Sequence, residues 1–387
     1  MTKPIGSADP VASLANAVPL FPAGAAPIPP WPGETVRLGA DEVFVRSAPA
    51  GPGAQPAVYV HGLGGSALNW TDLMGQLSQP APANGSAANG SAANGSAANG
   101  SAANGSGPSP ADVPLLAGQA LDLPGFGYSP PPAGHDYSLD GRVATVIALI
   151  EQHDEPVHLI GNSLGGAVST RVAARRPDLF RTLTLISPAM PDLRPRLLPA
   201  RLALVSTPGI GRFLVNKMLA MPAPDRTDRS IAELYADPSR LRPQRRDEAI
   251  AEMIRRDGLS YATDALLSSG RALVSEYARP RAGSLWRDAA RVTAPTLVIH
   301  GSHDRLVDPA MAGRAARTFP DCRVVVLPRV GHVAMMERPE LVAAERREFL
   351  RGALAQQVLG ETTSARGSRR QGPASAGGRS ALSPASP

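Results

Sequence analysis

Short apolar segments alternate with helical patterns along most of the chain, and this alternation restricts the possible folds more than any other feature. Each segment has four or five residues and is largely apolar or β-branched, as expected of strands buried on both faces. Strands that alternate with helices form mostly parallel sheets covered on both sides, so an α/β fold is predicted. A hairpin near residues 34–47 precedes the predicted strands, which are Ala57–Val60, Gln119–Asp122, Val157–Ile160, Thr182–Ile186, Thr296–Ile299 and Arg323–Leu327.

Three segments depart from this pattern in composition. Residues 1–33 are rich in Pro and Ala, and residues 357–387 are rich in Ser, Gly and Arg, so both ends are predicted to be disordered. Between residues 82 and 110 the unit Asn-Gly-Ser-Ala-Ala repeats without any apolar side chain larger than alanine, which predicts a flexible loop. The core is expected to comprise residues 34–187 and 291–356.

Residues 188–290 carry helical patterning, many prolines and no comparable strand signal. This segment follows a central strand, and ligands of open α/β sheets bind outside the carboxyl ends of the strands. We therefore expect a helical cap that covers the site and contributes the pocket for a small-molecule substrate.

Composition argues against several kinds of partner. The formal charge is +6, but half of this excess comes from the last 32 residues, where four arginines oppose Glu361, so nucleic-acid binding is not predicted. No apolar run approaches the roughly 18 residues of a membrane span, so no stable membrane insertion is expected. The N-terminal segment lacks the features of a secretory signal, and a cytoplasmic location is predicted. The single cysteine, Cys322, excludes an internal disulfide and is interpreted as a small apolar residue entering a strand.

A Gly-x-Ser-x-Gly motif, Gly161-Asn162-Ser163-Leu164-Gly165, lies between a predicted strand and a predicted helix. The two glycines permit a tight turn that pushes the serine into a strained position with its hydroxyl accessible. Ser163 is therefore the candidate nucleophile. Its hydroxyl needs a general base, and His332, in the loop after the last predicted strand, is the leading candidate.

A carboxylate is needed to hold the histidine in the correct tautomer. Asp304 follows the strand Thr296–Ile299 and is the favoured residue, with Asp308 as the alternative. Backbone donors must stabilise the oxyanion that forms when a carbonyl is attacked. The N–H groups of Leu63, in a glycine-rich turn, and of Leu164 are the candidates, although packing alone also explains such a turn.

The other histidines near these motifs receive no catalytic role. His61 is interpreted as a structural support of the glycine-rich turn. His300 and His303 flank the acid loop, but their spacing is commonplace, so no metal site is predicted. No cofactor is implied.

Residues 34–356, apart from the repeat, resemble the α/β-hydrolase superfamily. Its cap-bearing members share His61-Gly62, the segment from Asp122 to Ser129, the serine turn and Gly331-His332, and in them Asp122 is typically structural. The resemblance implies an α/β-hydrolase fold with a helical cap and a serine hydrolase with the triad Ser163, His332 and Asp304. Epoxide hydrolases and haloalkane dehalogenases of the superfamily use aspartate at the turn, so ester hydrolysis is the favoured reaction.

Other functions remain open, among them cofactor-free perhydrolases and lipid or thioester hydrolases, which share the triad. The sequence Gly-Asn-Ser-Leu-Gly-Gly is similar to that of carbon–carbon hydrolases acting on meta-cleavage products, but those enzymes usually carry an aromatic residue where Val333 follows His332. A small-molecule receptor on the same scaffold is an alternative of a different class, because receptors can keep the triad. Turnover distinguishes a receptor from an enzyme.

Overall fold

The computed structural model describes residues 28–80, 113–192, 207, 209–280 and 283–369. Within these residues, eight strands form one sheet in the order β1-β2-β4-β3-β5-β6-β7-β8. The strands are β1 (Gly33–Leu38), β2 (Asp41–Ala48), β3 (Gln55–Val60), β4 (Leu116–Leu121), β5 (Val157–Asn162), β6 (Phe180–Ile186), β7 (Thr296–Gly301) and β8 (Cys322–Leu327).

The sheet is mostly parallel, as predicted. Only β2 runs antiparallel to its neighbours, β1 and β4, whereas β4, β3, β5, β6, β7 and β8 are parallel. Every strand predicted from an apolar run overlaps an observed strand. Alternate residues of β3 show why these runs are apolar throughout: Val58 and Val60 pack into one hydrophobic cluster, and Ala57 and Tyr59 pack into a second cluster. A strand covered on both faces buries every side chain.

Helices cover the sheet and account for most of the described residues between β6 and β7. Among the described helices, none combines the length and the hydropathy of a transmembrane span. The helices are α1 (Thr71–Leu77), α2 (Leu139–Ile150), α3 (Leu164–Arg175), α4 (Ile210–Leu219), α5 (Ala223–Leu234), α6 (Pro243–Asp257), α7 (Ala262–Ala278), α8 (Leu285–Ala289), α9 (Met311–Thr318), α10 (Ala334–Glu337) and α11 (Pro339–Arg369).

The structure differs from the predicted disorder at both borders of the core. Residues 28–32 lie against the core because the Trp31 indole donates to the Thr71 carbonyl at 3.0 Å and Arg46 donates to the Trp31 carbonyl at 2.7 Å. Helix α11 continues to Arg369, past residue 356. The predicted flexible repeat at residues 82–110 lies outside the described residues, as do residues 1–27 and 370–387.

One buried arginine ties the helices between β6 and β7 to the core. Arg171 of α3 pairs with Glu276 of α7 at 2.7 Å and with Asp288 of α8 at 2.9 Å. The side chains of Arg171 and Glu276 are each 1% exposed. Burial opposes the charge of Arg171, but the hydrogen bonds with the two carboxylates outweigh it and raise the pKa of the guanidinium.

Replacing Arg171 with methionine should lower the free energy of unfolding by about 3–5 kcal/mol, because Glu276 would keep a buried charge without its main partner. Urea unfolding followed by circular dichroism would measure the change. Arg176→Met, which removes an exposed pair with Asp178 at the end of the same helix, is the matched control and should change little. Equal losses in the two variants would contradict a structural role for the buried pair.

Candidate active site

Ser163 lies at the sharp turn between β5 and α3, with φ of 52° and ψ of −117°. This conformation is unfavourable for a residue with a side chain, so the turn is strained. Both motif positions require glycine because neighbouring backbone atoms approach them closely. A Cβ on Gly161 would lie 2.5 Å from the Gly165 carbonyl oxygen, and a Cβ on Gly165 would overlap the Val60 carbonyl oxygen. The predicted strand-turn-helix setting of the motif is therefore present.

His332 and Asp304 form a buried hydrogen-bonded pair. His332 lies in the loop between β8 and α10, and its Nδ1 is 2.9 Å from Oδ2 of Asp304, which follows β7. The other carboxylate oxygen accepts the N–H groups of Leu306 and Val307 at 2.8 and 3.0 Å. Burial opposes ionisation of Asp304, but the interactions with His332 and the Val307 N–H outweigh it and hold the pKa of the carboxyl below its ordinary value. The bond to Asp304 makes Nδ1 the protonated nitrogen and leaves Nε2 as the basic one.

Asp308, the alternative acid, has a different place in the same loop. One of its carboxylate oxygens accepts the N–H of Ala310 at 2.9 Å, at the start of α9. Of the two candidate acids, Asp304 is the one that the structure places at hydrogen-bond distance from the His332 ring.

The serine turn and the histidine loop meet at the carboxyl edge of the sheet. The Asn162 side-chain amide donates to the carbonyls of Ile186 at 2.9 Å and of His332 at 3.3 Å. On the other side, a Cβ on Gly62 would lie 3.1 Å from Cβ of Ser163. Residues distant in sequence are therefore brought together by the ends of β3, β5, β7 and β8.

The two predicted oxyanion donors flank this point. Leu63 follows Gly62 in the loop after β3, and Leu164 is the first residue of α3. The first N–H groups of a helix have no partner within the helix, and the helix dipole favours negative charge there. The location suits a site that binds a developing negative charge.

Asp122 holds the loop after β3 in place. Its carboxylate accepts the N–H groups of Ala67 at 2.6 Å and of Tyr128 at 2.8 Å. Burial raises the pKa of Asp122 to about 6, although these two hydrogen bonds oppose the rise. From the side of the inserted helices, Arg256 donates to the carbonyl of Gly64 at 3.1 Å. The loop is therefore fixed both by the core and by α6.

His61 uses both ring nitrogens for backbone contacts. Its Nδ1 lies 2.7 Å from the Gly62 carbonyl oxygen, and its Nε2 accepts the Leu123 N–H at 2.9 Å. Burial lowers the pKa of His61 to about 4, so the ring is neutral near pH 7. These contacts favour a supporting role in the turn over proton transfer.

The free energy of unfolding should fall by about 3 kcal/mol through His61 alone as the pH drops from 6.5 to 4. In the unfolded chain a histidine binds a proton near pH 6.5, whereas folded His61 stays neutral down to about pH 4, so acid favours unfolding. Urea unfolding at several pH values should show a weaker pH dependence for His61→Asn than for the wild type.

His303→Asn is the control for this prediction, because His303 is exposed and its ring contacts the hydroxyl of the neighbouring Ser302. The difference in the free energy of unfolding between variant and wild type removes the contributions of other titrating groups. One of these is Asp122, whose raised pKa stabilises the folded state as the pH falls and so opposes the effect of His61. Parallel curves for His61→Asn and wild type would contradict the assignment.

His300, His303 and Cys322 differ in their surroundings. His300 is 1% exposed, and burial lowers its pKa to about 4, whereas His303 lies at the surface. Cys322 begins β8, as expected, and burial raises the pKa of its thiol to about 12. A thiol that keeps its proton is a poor nucleophile.

Glu337 is a site residue that sequence reasoning missed. It is 1% exposed, and its carboxylate accepts the N–H groups of Gly331 at 2.7 Å and of Ala236 and Asp237 at 3.1 Å. The N–H of His332 itself donates to the Leu234 carbonyl, at the end of α5, at 2.7 Å. Glu337 therefore joins the histidine loop to the inserted helices. No local signal distinguishes it from other acidic residues of a helix.

The sheet topology, the strained serine turn and the histidine–aspartate pair together define a protein of the α/β-hydrolase class. The chain belongs to the Alpha/beta hydrolase family, whose family model matches residues 57–345.

Three curated relatives illustrate the range of the family. The acetyltransferase component of an acetoin-cleaving system from Pseudomonas putida is 28% identical over 78% of this chain and 65% of its own length. A 2-hydroxy-6-oxononadienedioate/2-hydroxy-6-oxononatrienedioate hydrolase from Cupriavidus pinatubonensis is 26% identical over 78% of this chain and 89% of its own. A monoacylglycerol lipase of Xenopus laevis is 28% identical over 59% of this chain and 66% of its own. The chain thus spans slightly less than two thirds of the first and third.

Solved structures agree on the fold. A bacterial membrane phospholipase A superimposes with a TM-score of 0.59 at 21% identity, covering 83% of this chain and 86% of that one. A 2-hydroxy-6-oxo-6-phenylhexa-2,4-dienoate hydrolase from Rhodococcus superimposes with the same TM-score and identity, covering 83% and 100%. At this identity the likeness establishes the architecture alone.

Proposed function

We propose that the protein is a serine hydrolase of carboxylic esters whose substrate is a small or medium-sized apolar molecule. The observation that carries the proposal is the 2.9 Å bond between His332 and Asp304 at the same sheet edge as a serine in a strained turn. Matches to lipases and to a methyl ester esterase support ester chemistry.

The reaction follows from these positions. Ser163 Oγ attacks the acyl carbon while His332 Nε2 takes its proton, and Asp304 stabilises the imidazolium that forms. The N–H groups of Leu63 and Leu164 stabilise the oxyanion. His332 then protonates the leaving alcohol, and a water activated by the same ring releases the acid from the acyl-enzyme. No step requires a cofactor or a metal.

Residues 188–290 act in this proposal as the cap that selects the substrate, and residues 34–187 with 291–356 form the catalytic core. The contacts of Leu234 and of Arg256 support this division, because they link the inserted helices to the histidine loop and to the loop after β3. The proposed location is cytoplasmic.

Hydrolysis of a carbon–carbon bond in meta-cleavage products is the second candidate. A relative that is named as a hydrolase of such dienedioates is matched over 89% of its length, and this match favours carbon–carbon bond hydrolysis. Val333, 5% exposed, stands where an aromatic residue is usual in those enzymes, which counts against it.

Turnover of p-nitrophenyl esters from acetate to long acyl chains, measured beside a 2-hydroxy-6-oxodienoate, would test the two candidates. Ester turnover that depends on Ser163 supports the proposal, and the preferred chain length would size the pocket. Exclusive turnover of the dienoate would replace ester hydrolysis by carbon–carbon hydrolysis. Binding without turnover of either class would favour a receptor.

A further inference from the structure

Helix α4 exposes more large apolar side chains than any other described element. Eight large apolar side chains are exposed in the part of the chain that the structure describes, and four of them belong to this ten-residue helix. They are Ile210 at 47%, Phe213 at 68%, Met218 at 38% and Leu219 at 39% exposure. Only Gly211 and Val215 of α4 are buried. Several exposed apolar side chains on one short helix indicate a surface that binds a partner.

The exposed face of α4 combines apolar and basic groups. At 100° per residue, Phe213 points away from the buried stripe of Gly211 and Val215, and Lys217 lies one turn further along beside it. Arg212 is also exposed and pairs with Asp264 of α7. The helix contains no acidic residue. Apolar side chains flanked by cations are typical of helices that lie in the interface of an anionic bilayer.

Helix α4 is linked through α7 to the loop that follows β3. It packs against α7, and the two helices border an open depression of about 480 Å³ lined in part by Phe213 and Leu267. The preceding residue, Leu266, approaches Gly64 in the loop after β3. Helix α7 therefore connects the exposed face of α4 with the loop beside Ser163.

We propose that α4 docks this protein on the surface of lipid bilayers that carry anionic headgroups. Phe213 and Ile210 enter the boundary between headgroups and acyl chains, and Lys217 faces the lipid phosphates. The docking itself does not depend on the proposed ester hydrolysis. Only its purpose rests on that function, because docking brings apolar substrates from the bilayer to the active site. A second copy of the chain fits less well. A ten-residue helix is about 15 Å long, which is short for the roughly 800 Å² per partner of a stable dimer.

Sedimentation with phosphatidylcholine vesicles, with and without phosphatidylglycerol, would test the docking on the full chain. The wild type should bind the anionic vesicles more tightly, and added salt should weaken this binding. Ile210→Ser/Phe213→Ser should reduce the binding by at least about tenfold, and Lys217→Glu should reduce it on anionic vesicles. Val326→Ser, at an exposed position of the edge strand β8, is the matched control and should bind as the wild type does.

Hydrolysis of p-nitrophenyl acetate by the same variants separates this inference from the proposed function. Lost vesicle binding, in variants that still turn over the soluble ester through Ser163, supports docking by α4. Vesicle binding that is equal in the wild type and the α4 variants would overturn the inference, as would a wild-type dimer that Phe213→Ser dissociates without any vesicle binding. Vesicle binding that depends on α4, in a protein without ester turnover, would overturn the proposed function and leave the docking intact.

Discussion

Replacing Ser163 with alanine should reduce kcat for ester hydrolysis by about 10⁵–10⁶-fold. The hydroxyl is the atom that forms the acyl-enzyme, and without it only the backbone donors and substrate binding remain. Alanine meets the same backbone strain as serine at φ of 52°, so the variant should unfold at nearly the wild-type urea concentration. Steady-state turnover of the preferred p-nitrophenyl ester, together with unfolding curves, would measure both effects.

Ser163→Gly is the matched control for this prediction. Glycine adopts positive φ without steric cost, so this variant should be equally inactive and more resistant to urea than Ser163→Ala. The comparison separates loss of the nucleophile from a change in the fold. Retention of more than a tenth of wild-type turnover by either variant would remove Ser163 from the role of nucleophile.

Replacing Asp304 with asparagine should reduce kcat by about 10⁴-fold. The carboxylate accepts the Nδ1 proton of His332 at 2.9 Å, which leaves Nε2 free to receive the serine proton. An amide of the same shape removes the charge that stabilises the imidazolium and permits the opposite tautomer. Steady-state turnover of the preferred p-nitrophenyl ester by the variant and the wild type would measure the loss.

Asp308→Asn changes the other carboxylate of the same loop and keeps the Asp304 carboxylate in place. Its side chain caps the Ala310 N–H, so the variant should keep turnover within a few-fold of the wild type. A large loss in Asp308→Asn and a small one in Asp304→Asn would reverse the assignment of the acid.

Much of the sheet could be predicted because each strand is encoded locally. Runs such as Val157–Ile160 and Thr296–Ile299 are apolar throughout since both of their faces are covered, and this property is visible without knowledge of the partners. Their borders were less predictable. Trp31 lies on the core although its neighbours in sequence are Pro- and Ala-rich, because its indole reaches a carbonyl of α1, forty residues away.

The residues of the candidate site were also predictable in part. Ser163, His332 and Asp304 could be singled out from the sequence because each follows a recognisable strand in a short motif, and parallel strands end at a common edge. The choice of Asp304 over Asp308 as the partner of His332 depended on which carboxylate the loop turns toward the ring. The amino-acid sequence does not show which of the two carboxylates points toward the ring.

Short-range periodicity and glycine spacing encode the alternation of strands and helices, the strained serine turn and the chain order of the candidate residues. Which distant groups meet depends on how the chain packs in three dimensions. Arg171 and Glu276 are 105 residues apart, and Glu337 reaches Ala236 across 101 residues. The physical reason is that a buried charge is stable only beside a partner, and packing of the whole chain selects that partner.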